Sequence, residues 1–568
     1  MTANTLTARP APRDSADLML PNRLAALQPS RVSGSRALMN RMIRERWDIR
    51  LTRMDVDAQA QGTILYSVCT PDREFSLIAF SFAPRTEGRT GRIIGRAWDM
   101  MCSLIEGPAN EADIAYARSE LPKLYRGRAA PNTLVWGRSN RSMRVFSATL
   151  DALAAGRQPS VEILSQVCYL MRNTGLDGNG TFGTRSFPAL GADHPLGGML
   201  QAQLLTAYLM RELSCDLVSH LAGLQSDKAV PLAPDFRRWL GVGNGSALGL
   251  IFFVHKHPQL IHSWLSARET ALAQARALSP GKGDARLTRL LDVMDRAIAF
   301  RRQDRMVYEA FASSAKVADD LTRMRADIQE LATQGTVGGV ACAFPLDAVS
   351  QRHRGDVSFE ALETYHSLLL ELVPEAADAL MAQVHGADEI TLDPADTVAG
   401  LLATIRSDYA WALDMDLTTP ESHRYIWYKS ENAEEPRRGA REEVPEARDL
   451  GLDVPGGVQA LYRDLSRAAP DESVARFVLR HPGHRHAVAR IQSLRGLTYH
   501  TPHANINDAG FVPIDMVRLM NVGLHGIDKT RDFLNRNLRG VLFHGAPTPD
   551  EIRAGIALDW FYPQEPCA

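Results

Sequence analysis

The sequence predicts a mainly α fold of the α+β class, a large helical protein with a small β component near the N-terminus and a short strand near the C-terminus. Apolar residues recur with helical spacing over most of the 568 residues. Strand and helix units do not alternate regularly, which disfavours a doubly wound parallel sheet. The β component comprises three segments, which are Gly62 to Ala83, Thr133 to Trp136 and Leu497 to Thr501.

The composition is that of an ordinary globular protein. Hydrophobic residues make up 45% and charged residues 23% of the chain, and the formal net charge is −2, so no electrostatic attraction to nucleic acid or to an anionic membrane is expected. The six cysteines are scattered without a CxxC pair, which is typical of reduced thiols in the cytoplasm. The N-terminus has no apolar signal-peptide core, and no run approaches roughly 18 uncharged apolar residues, so neither a signal peptide nor a membrane span is predicted.

Four regions follow one another along the chain. Residues 1–35 form a flexible N-terminal arm that is rich in Ala, Pro, Ser, Thr and Arg and has no periodicity. Residues 36–150 form an N-terminal α+β region, and residues 151–415 form a helical core region. Residues 416–568 form a C-terminal helical region with a lid-like loop and a His/Asn-rich segment.

The N-terminal α+β region contains a hairpin signal. Two β-rich runs within Gly62 to Ala83 flank the turn-forming residues Thr70 to Arg73. Helical patterns follow from Gly91 to Glu106 and from Ala112 to Leu121, where Pro122 ends the second helix. The hairpin is therefore the clearest β element of the sequence.

Two stretches in the middle of the chain have the spacing of helices that pack along a narrow seam. Their apolar residues recur at alternating steps of four and three and are Leu287, Leu291, Met294 and Ile298, then Val317, Leu321, Met324, Ile328 and Leu331. The pattern predicts an antiparallel helical pair or a dimer interface. We accordingly expect a homodimer.

Polar segments interrupt the helical pattern, and the first is Thr133 to Phe146. It places Arg138, Asn140, Arg141 and Arg144 between a short apolar run and an amphipathic helix. Guanidinium groups suit carboxylate or phosphate, and the Asn amide both donates and accepts hydrogen bonds. The segment is therefore either a solvated loop or part of an anion site.

The second polar segment, Met171 to Phe187, is the most loop-like stretch of the sequence. Its seventeen residues include four glycines, whose backbone can approach a ligand closely. Two arginines and two asparagines accompany them, namely Arg172, Asn173, Asn179 and Arg185. The composition predicts a binding loop that forms one wall of an anion-accepting pocket.

A third segment, Trp239 to Val254, carries Gly241, Gly243 and Gly245 with Asn244 and Ser246 immediately before an apolar run, and Ser246 is a candidate cap of the helix that follows. Backbone N–H groups at a helix N-terminus would bind an anion there, and close helix packing on glycine is an equal alternative. No preceding strand is evident, so neither a dinucleotide-binding motif nor a P-loop is predicted.

The fourth polar segment is Thr419 to Gly457. An aromatic run that ends at Tyr428 precedes a stretch of mixed charge that includes Glu434. A run of this length predicts either an ordered lid over an active site or a disordered link.

The fifth polar segment is Thr498 to Phe511, which crowds His500, His503 and Asn505 together after a short predicted strand. A histidine that titrates near neutral pH would serve there as a general base. A purely structural role for these side chains is an equal alternative.

The functional class follows from which motifs are present. The chain has no GxSxG, no GxxxxGK[ST], no HExxH and no Rossmann fingerprint in a βαβ setting. Loops rich in Arg, Asn, His and Tyr on a helical scaffold are typical of a pocket for a small polar or anionic molecule. We predict a cytoplasmic enzyme acting on a small metabolite with carboxylate or phenolic oxygens, by acid/base chemistry of the lyase or hydrolase type, without cofactor or metal.

The predicted site divides its residues between two roles. His500 or His503 moves the proton, and Tyr428 or Glu434 assists or closes the lid. The substrate-binding residues are Arg138, Asn140, Arg141, Arg172, Asn173, Asn179, Arg185, Asn244 and Asn505.

Two other functions are compatible with the same sequence. A non-enzymatic helical protein would assemble or bind a partner through the seam from Val317 to Leu331. A metal-dependent enzyme would use the C-terminal histidines, which are His481, His484, His486, His500 and His503. In the favoured hypothesis the partner is a small-molecule substrate, and neither nucleic acid nor membrane is expected.

Overall fold

The structure is a computed structural model of the chain. It describes residues 8–84, 98–178, 190–244 without 192 and 199, 259–303, 312–384, 392–419, 422, 426–428, 451–499, 526, 528–532, 537–556 and 560–566. Within these residues, no helix is both long enough and apolar enough to cross a membrane.

Strands from distant parts of the chain build one large sheet and one small sheet. The strands are β1 (Asp48–Val56), β2 (Gly62–Cys69), β3 (Glu74–Ser81), β4 (Met100–Glu106), β5 (Thr133–Arg141), β6 (Tyr169–Gly178), β7 (Gly241–Asn244), β8 (Ile426–Tyr428), β9 (Gly451–Asp453), β10 (Asp528–Asp532) and β11 (Asn537–Leu542). The large sheet has nine strands in the order β1-β2-β3-β4-β5-β6-β7-β11-β10, and β8 pairs with β9.

Strands β1 to β6 form an antiparallel meander, and the sheet is then completed by non-local pairings. Strand β7 pairs with β6 in parallel, with Asn173 opposite Asn244. Strand β11 pairs with β7 in the antiparallel sense, with Gly540 opposite Asn244, and β10 closes that edge. Residues 296 to 300 positions apart therefore pair in neighbouring strands.

Helices cover the sheet and continue beyond it. Those before β7 are α1 (Ser15–Leu18), α2 (Pro21–Ala26), α3 (Gly34–Arg44), α4 (Glu111–Glu120), α5 (Met143–Ala154), α6 (Val161–Leu164), α7 (Gln201–Gln225) and α8 (Pro234–Trp239). The next are α9 (Gln259–Arg276), α10 (Ala285–Gln303), α11 (Ser314–Gln334), α12 (Pro345–His353), α13 (Phe359–Leu369), α14 (Pro374–Ala382), α15 (Val398–Asp408) and α16 (Ala410–Leu413). The last are α17 (Val454–Leu465), α18 (Val474–Arg480), α19 (Arg485–Leu494) and α20 (Pro549–Ala554), and 3-10 turns cover Leu121–Arg126, Leu370–Leu372 and Pro482–His484.

The buried apolar side chains form three clusters. The largest joins the inner face of the sheet to α7 and to helices α9 to α14. A second lies on the outer face of the sheet, where α4 packs on Ile78, Phe80 and Trp136. The third is confined to helices α15 to α19. Strands β3 and β4 are therefore covered on both faces.

The expected mainly α fold with a small β component is wrong, because the nine-stranded sheet makes the chain a mixed α/β protein. Strands covered on both faces are continuous apolar runs, and such runs lack the alternation that identifies a strand in sequence. Strand β4 (MMCSLIE) is such a run, and the helix predicted from Gly91 to Glu106 is wrong over these residues. The predicted β segment from Thr133 to Trp136 is the first part of β5. The polar residues that continue β5 and the glycine-containing strand β6 have the composition of loops, although both belong to the sheet.

Elements with strong local patterns were predicted correctly. The hairpin of β2 and β3 pairs from Gly62–Ser81 to Cys69–Glu74, and α4 matches the helix predicted from Ala112 to Leu121. The two seam helices are α10 and α11, which run antiparallel, because Arg325 pairs with Asp295 and Gly283 bonds to Ala332. Their apolar stripes are buried within this one chain. The strand predicted from Leu497 to Thr501 is wrong for the described residues 497–499, none of which lies in a strand.

A completely buried arginine ties the central helix to both distant parts of the sheet. Arg211 on α7 donates to Leu240 O at 2.7 Å and to Arg238 O at 2.8 Å, at the end of α8. It also donates to Ala546 O at 2.7 Å, in the turn that follows β11. The last carbonyls of a helix have no partner within the helix, so a guanidinium there satisfies groups that would otherwise be unbonded.

Replacement of Arg211 by methionine is expected to lower the free energy of unfolding by about 3 to 5 kcal/mol, because it leaves buried carbonyl groups without a donor and removes one of the two guanidinium partners of the buried Glu212 carboxylate. Urea denaturation measures this effect. Arg144→Met is the matched control, since Arg144 is exposed on α5, and its effect is expected to stay within about 0.5 kcal/mol. Equal urea midpoints for the two variants would contradict this role for Arg211.

Candidate functional site

Three of the predicted polar segments meet on neighbouring strands. Arg138 and Asn140 lie on β5, Arg172 and Asn173 lie on β6, and Asn244 ends β7. In register, Asn140 is opposite Arg172, and Asn173 is opposite Asn244. Residues from segments about 35 and 70 positions apart are thus brought together by strand pairing.

The two faces of the sheet separate these residues. A Cβ placed on Gly137 would meet Thr206 of α7, so Gly137 and the alternate residues Ser139 and Arg141 face α7 and the inner side. Asn173 shares that side, since the Ser139 hydroxyl donates to its Oδ1 at 2.8 Å. Ser139, Arg141 and Asn173 are all buried.

The other face of the same strands carries Arg138, Asn140 and Arg172. All three are half-buried, and Arg138 lies 5.1 Å from the Trp98 ring. Asn140 is occupied structurally, because its Oδ1 accepts from the Asp99 backbone at 3.1 Å. Arg172 has no hydrogen-bond or ion-pair partner within the described part of the chain. The predicted arginines and asparagines therefore do not form one cluster.

The remaining predicted residues are described in part or not at all. His500, His503, Glu434, Asn179, Arg185 and Asn505 lie outside the described residues. Only the backbone of Tyr428 is described, in β8 opposite Gly451. Only the backbone of Asn244 is described as well.

A cavity of about 290 Å³ lies between the N-terminal arm and helices α9, α12 and α13. This volume is at the lower end of the range of small-molecule sites. The charged and polar residues that line it are Arg13, Asp14, Asp17, Arg23, Arg276, Ser350, Gln351, Arg354 and His366. Four of them are arginines, so the wall of the cavity suits an anionic ligand.

The arginines of the wall differ in how fully their charge is compensated. Arg354 pairs with Asp17 at 2.7 Å, and Arg276 lies 3.6 Å from Asp347. Arg23 stacks on the Phe359 ring at 4.0 Å and has no carboxylate partner among the described residues. Burial lowers the pKa of both Arg23 and Arg276. An anion in the cavity would therefore find Arg23 the least compensated cation of the wall.

Beneath the cavity, two buried carboxylates share two guanidinium groups. Arg13 of the arm donates from Nε and Nη2 to Glu269 of α9 at 2.7 and 2.8 Å, and it also bonds to Glu363 of α13. Arg268 donates to Glu269 at 2.7 Å and to Glu363 at 3.0 Å. Burial is the largest single influence and by itself would raise the pKa of each carboxyl, but the charges of Arg13 and Arg268 and the hydrogen bonds to the carboxylates together hold the pKa of both Glu269 and Glu363 below the ordinary value.

A serine, a histidine and a glutamate are aligned between this cluster and the cavity. The Ser350 Oγ on α12 lies 3.2 Å from His366 Nε2 on α13. The other ring nitrogen, Nδ1, lies 3.6 Å from Glu363 Oε1 and 3.3 Å from Arg13 Nη1. The spacing of Glu363 and His366, three positions apart on one helix, brings their side chains to the same helix face. The order of groups is that of a Ser-His-acid triad.

His366 is uncharged at neutral pH. Burial lowers its pKa to about 4, and the Arg13 charge acts in the same direction, whereas Glu363 opposes the shift. A neutral imidazole is the form that can accept a proton from a hydroxyl group.

The described histidines of the C-terminal region have structural contacts. His484 pairs with Asp464 at 2.9 Å, and His481 stacks on Phe477 with ring centroids 4.8 Å apart. Within the described ranges, no group of three or more His, Cys, Asp or Glu side chains could hold a metal ion. His500 and His503, which the metal-dependent alternative also requires, are outside those ranges.

Sequence patterns did not single out Ser350, Glu363 or His366. The available signals were charged residues at positions of apolar helices that the periodicity assigns to the core, such as Arg268 and Glu269 in α9. The Glu-x-x-His spacing in α13 was a second signal. The contribution of Arg13 had no local signal, because it depends on how the arm packs.

No family model, no curated protein and no solved structure matches the sequence.

The low pKa of His366 makes the stability of the protein depend on pH. In the unfolded chain a histidine binds its proton near pH 6.5, whereas His366 in the folded chain does so only near pH 4. The unfolded state therefore binds more protons in this window, and the free energy of unfolding falls as the pH decreases. From pH 7 to pH 5 the contribution of His366 is expected to fall by roughly 2 kcal/mol.

The measurement is urea denaturation at several pH values for the wild type and for His366→Gln. The variant is expected to lose this part of the pH dependence. His194, whose pKa is also lowered by burial, contributes equally to both proteins and cancels in the difference. Parallel pH profiles for the two proteins would contradict the assignment.

Proposed function

We propose that this chain is an enzyme that hydrolyses an ester or amide of a small carboxylate-bearing molecule. The observation that carries the proposal is the Ser350 hydroxyl, 3.2 Å from His366 Nε2, at the wall of an arginine-lined cavity of about 290 Å³. The proposal keeps the expected substrate class, a small carboxylate-bearing metabolite, and selects hydrolysis from the expected reaction types. It transfers the catalytic role from the C-terminal histidines to α12 and α13.

Each member of the triad has a role that its contacts support. The Ser350 Oγ attacks the carbonyl carbon, and His366 Nε2 takes the hydroxyl proton. His366 then gives this proton to the leaving alcohol or amine as the bond to the acyl group breaks. Water attacks the acyl-enzyme by the same route in reverse, which releases the acid and restores Ser350. Glu363 stabilises the imidazolium that forms in both steps.

The arginines of the cavity select an anionic substrate. A substrate carboxylate beside Arg23 would supply the counter-charge that this guanidinium lacks among the described residues. A second guanidinium of the wall would stabilise the oxyanion of the tetrahedral intermediate. Discrimination between carboxylate-bearing and neutral esters is the expected signature.

The broader expectations are retained as part of the proposal. The enzyme is cytoplasmic, acts without nucleic acid or membrane, and requires no cofactor. The homodimer is also retained as a prediction, although the apolar seam of α10 and α11 is filled within one chain and does not support it.

Ser350→Ala is expected to lower the hydrolysis of the mono-p-nitrophenyl ester of a small dicarboxylic acid by roughly 10³-fold or more, because the nucleophile is lost. Release of p-nitrophenolate measures the rate. Ser466→Ala is the matched control, since Ser466 is exposed immediately after α17 and its hydroxyl donates to the Tyr462 carbonyl of that helix, and its rate is expected to equal that of the wild type. Activity that survives in a folded Ser350→Ala protein would refute the proposal.

Arg23→Met is expected to raise KM for the carboxylate-bearing ester roughly tenfold or more and to change KM for p-nitrophenyl acetate little, because one charge-assisted contact is lost. Arg172→Ala tests the sheet face that the sequence favoured. If Arg172→Ala raises KM and Arg23→Met does not, the substrate binds at the sheet and not in the cavity.

A further inference from the structure

The N-terminal arm inserts one side chain into the catalytic cluster. Arg13 binds Glu269 through two parallel hydrogen bonds and also bonds to Glu363. Its backbone carbonyl accepts a hydrogen bond of 2.8 Å from the hydroxyl of Tyr499. Among the members of this cluster, only Arg13 belongs to the arm, because Arg268 and Glu269 lie on α9 and Glu363 and His366 lie on α13.

The position of Arg13 favours one of the two tautomers of His366. A guanidinium group has only donors, so a hydrogen bond from Arg13 to Nδ1 across the 3.3 Å contact forms only in the tautomer in which Nδ1 accepts. A neutral imidazole with an accepting Nδ1 carries its proton on Nε2. Nε2–H then donates to the Ser350 Oγ and cannot remove the hydroxyl proton. The competing arrangement, Nδ1–H donating to Glu363, has the longer separation of 3.6 Å.

We infer that Arg13 is a latch that holds the triad in its resting tautomer, and that withdrawal of Arg13 activates Ser350. This inference depends on the proposed function of Ser350. When Arg13 leaves, the ring proton moves through solvent from Nε2 to Nδ1, where it is donated to Glu363. Nε2 then becomes the acceptor for the Ser350 hydroxyl. Arg13 is thus a positioning residue that acts through His366.

The charge of Arg13 acts in the same direction as its hydrogen bond. A guanidinium group 3.3 Å from Nδ1 repels the imidazolium that forms when Ser350 attacks. With Arg13 withdrawn, Arg268 still pairs with Glu363 at 3.0 Å, so the cluster keeps one ion pair. The carboxylates then exceed the guanidinium groups by one, and the imidazolium is stabilised.

The rate at which a fluorophosphonate labels Ser350 tests the latch in the full chain. In this reaction the serine oxygen bonds to phosphorus, fluoride leaves, and His366 takes the hydroxyl proton. Arg13→Ala is expected to raise the rate by roughly 10²-fold, the size of a general-base contribution. Added guanidinium ion is expected to fill the vacated position and slow the reaction again, an effect that a merely structural role for Arg13 would not produce.

A double variant that keeps the cluster neutral controls for destabilisation by an unpaired buried carboxylate. Arg13→Met combined with Glu269→Gln removes one charge of each sign and leaves Arg268 paired with Glu363. This double variant is expected to be labelled faster than the wild type, whereas Arg9→Met, at an exposed position of the same arm, is expected to react at the wild-type rate.

The outcomes separate the two proposals. Labelling of Ser350 at equal or lower rates in the folded Arg13 variants would overturn the latch and leave the proposed function intact. If mass spectrometry finds no adduct on Ser350 in any of these proteins, the proposed function fails.

Discussion

The hydrogen-bond requirement of one buried guanidinium governs how this fold closes. Arg211 is completely buried on α7, where its charge cannot be given up and each of its N–H groups needs an acceptor. Those acceptors are carbonyl groups at the end of α8 and in the turn after β11, separated by more than 300 residues. Strand β7 follows α8 directly, and β11 precedes the turn. The contacts that satisfy Arg211 therefore also bring the two non-local strands to neighbouring positions in the sheet.

The need of buried guanidinium groups for hydrogen-bond acceptors also determines the contacts beneath the cavity. Arg268 is part of helix α9, whereas Arg13 is supplied by the N-terminal arm. The two cations make similar hydrogen bonds to Glu269 and Glu363 but belong to different parts of the chain. The contribution of Arg13 therefore depends on how the arm packs against helices α9 and α13.

Local patterns predicted the hairpin of β2 and β3, helix α4 and the pair α10 and α11, because alternation, capping residues and seam spacing are properties of short stretches. The sheet as a whole was not predictable in this way. Strands β3 and β4 are apolar on both faces, and the pairings of β7 with β6 and β11 depend on contacts far apart in sequence.

The candidate site, like the sheet, combines features that a short stretch of sequence predicts with contacts between residues far apart in the chain. The local content of arginine and asparagine predicted Arg138 and Arg172 as site residues, and strand pairing does bring these two close together. Composition could not indicate that neighbouring residues of a strand point to opposite faces. The triad was harder still to predict from the sequence. Ser350 and His366 lie on two different helices, and only the packing of these helices brings their side chains together.

The buried charges beneath the cavity are difficult to explain by stability alone. Replacing a buried ion-pair cluster by apolar side chains is often neutral or stabilising, so Arg13, Arg268, Glu269 and Glu363 are not the arrangement that packing alone would favour. The different positions of Arg13, in the arm, and Arg268, in α9, suggest a functional reason for these buried charges. With both guanidinium groups in place the cluster is neutral, and His366 is held uncharged by burial and by Arg13. Once Arg13 is withdrawn the cluster carries a net negative charge, which raises the affinity of the imidazole for a proton. Departure of the arm and activation of the base are therefore a single electrostatic event.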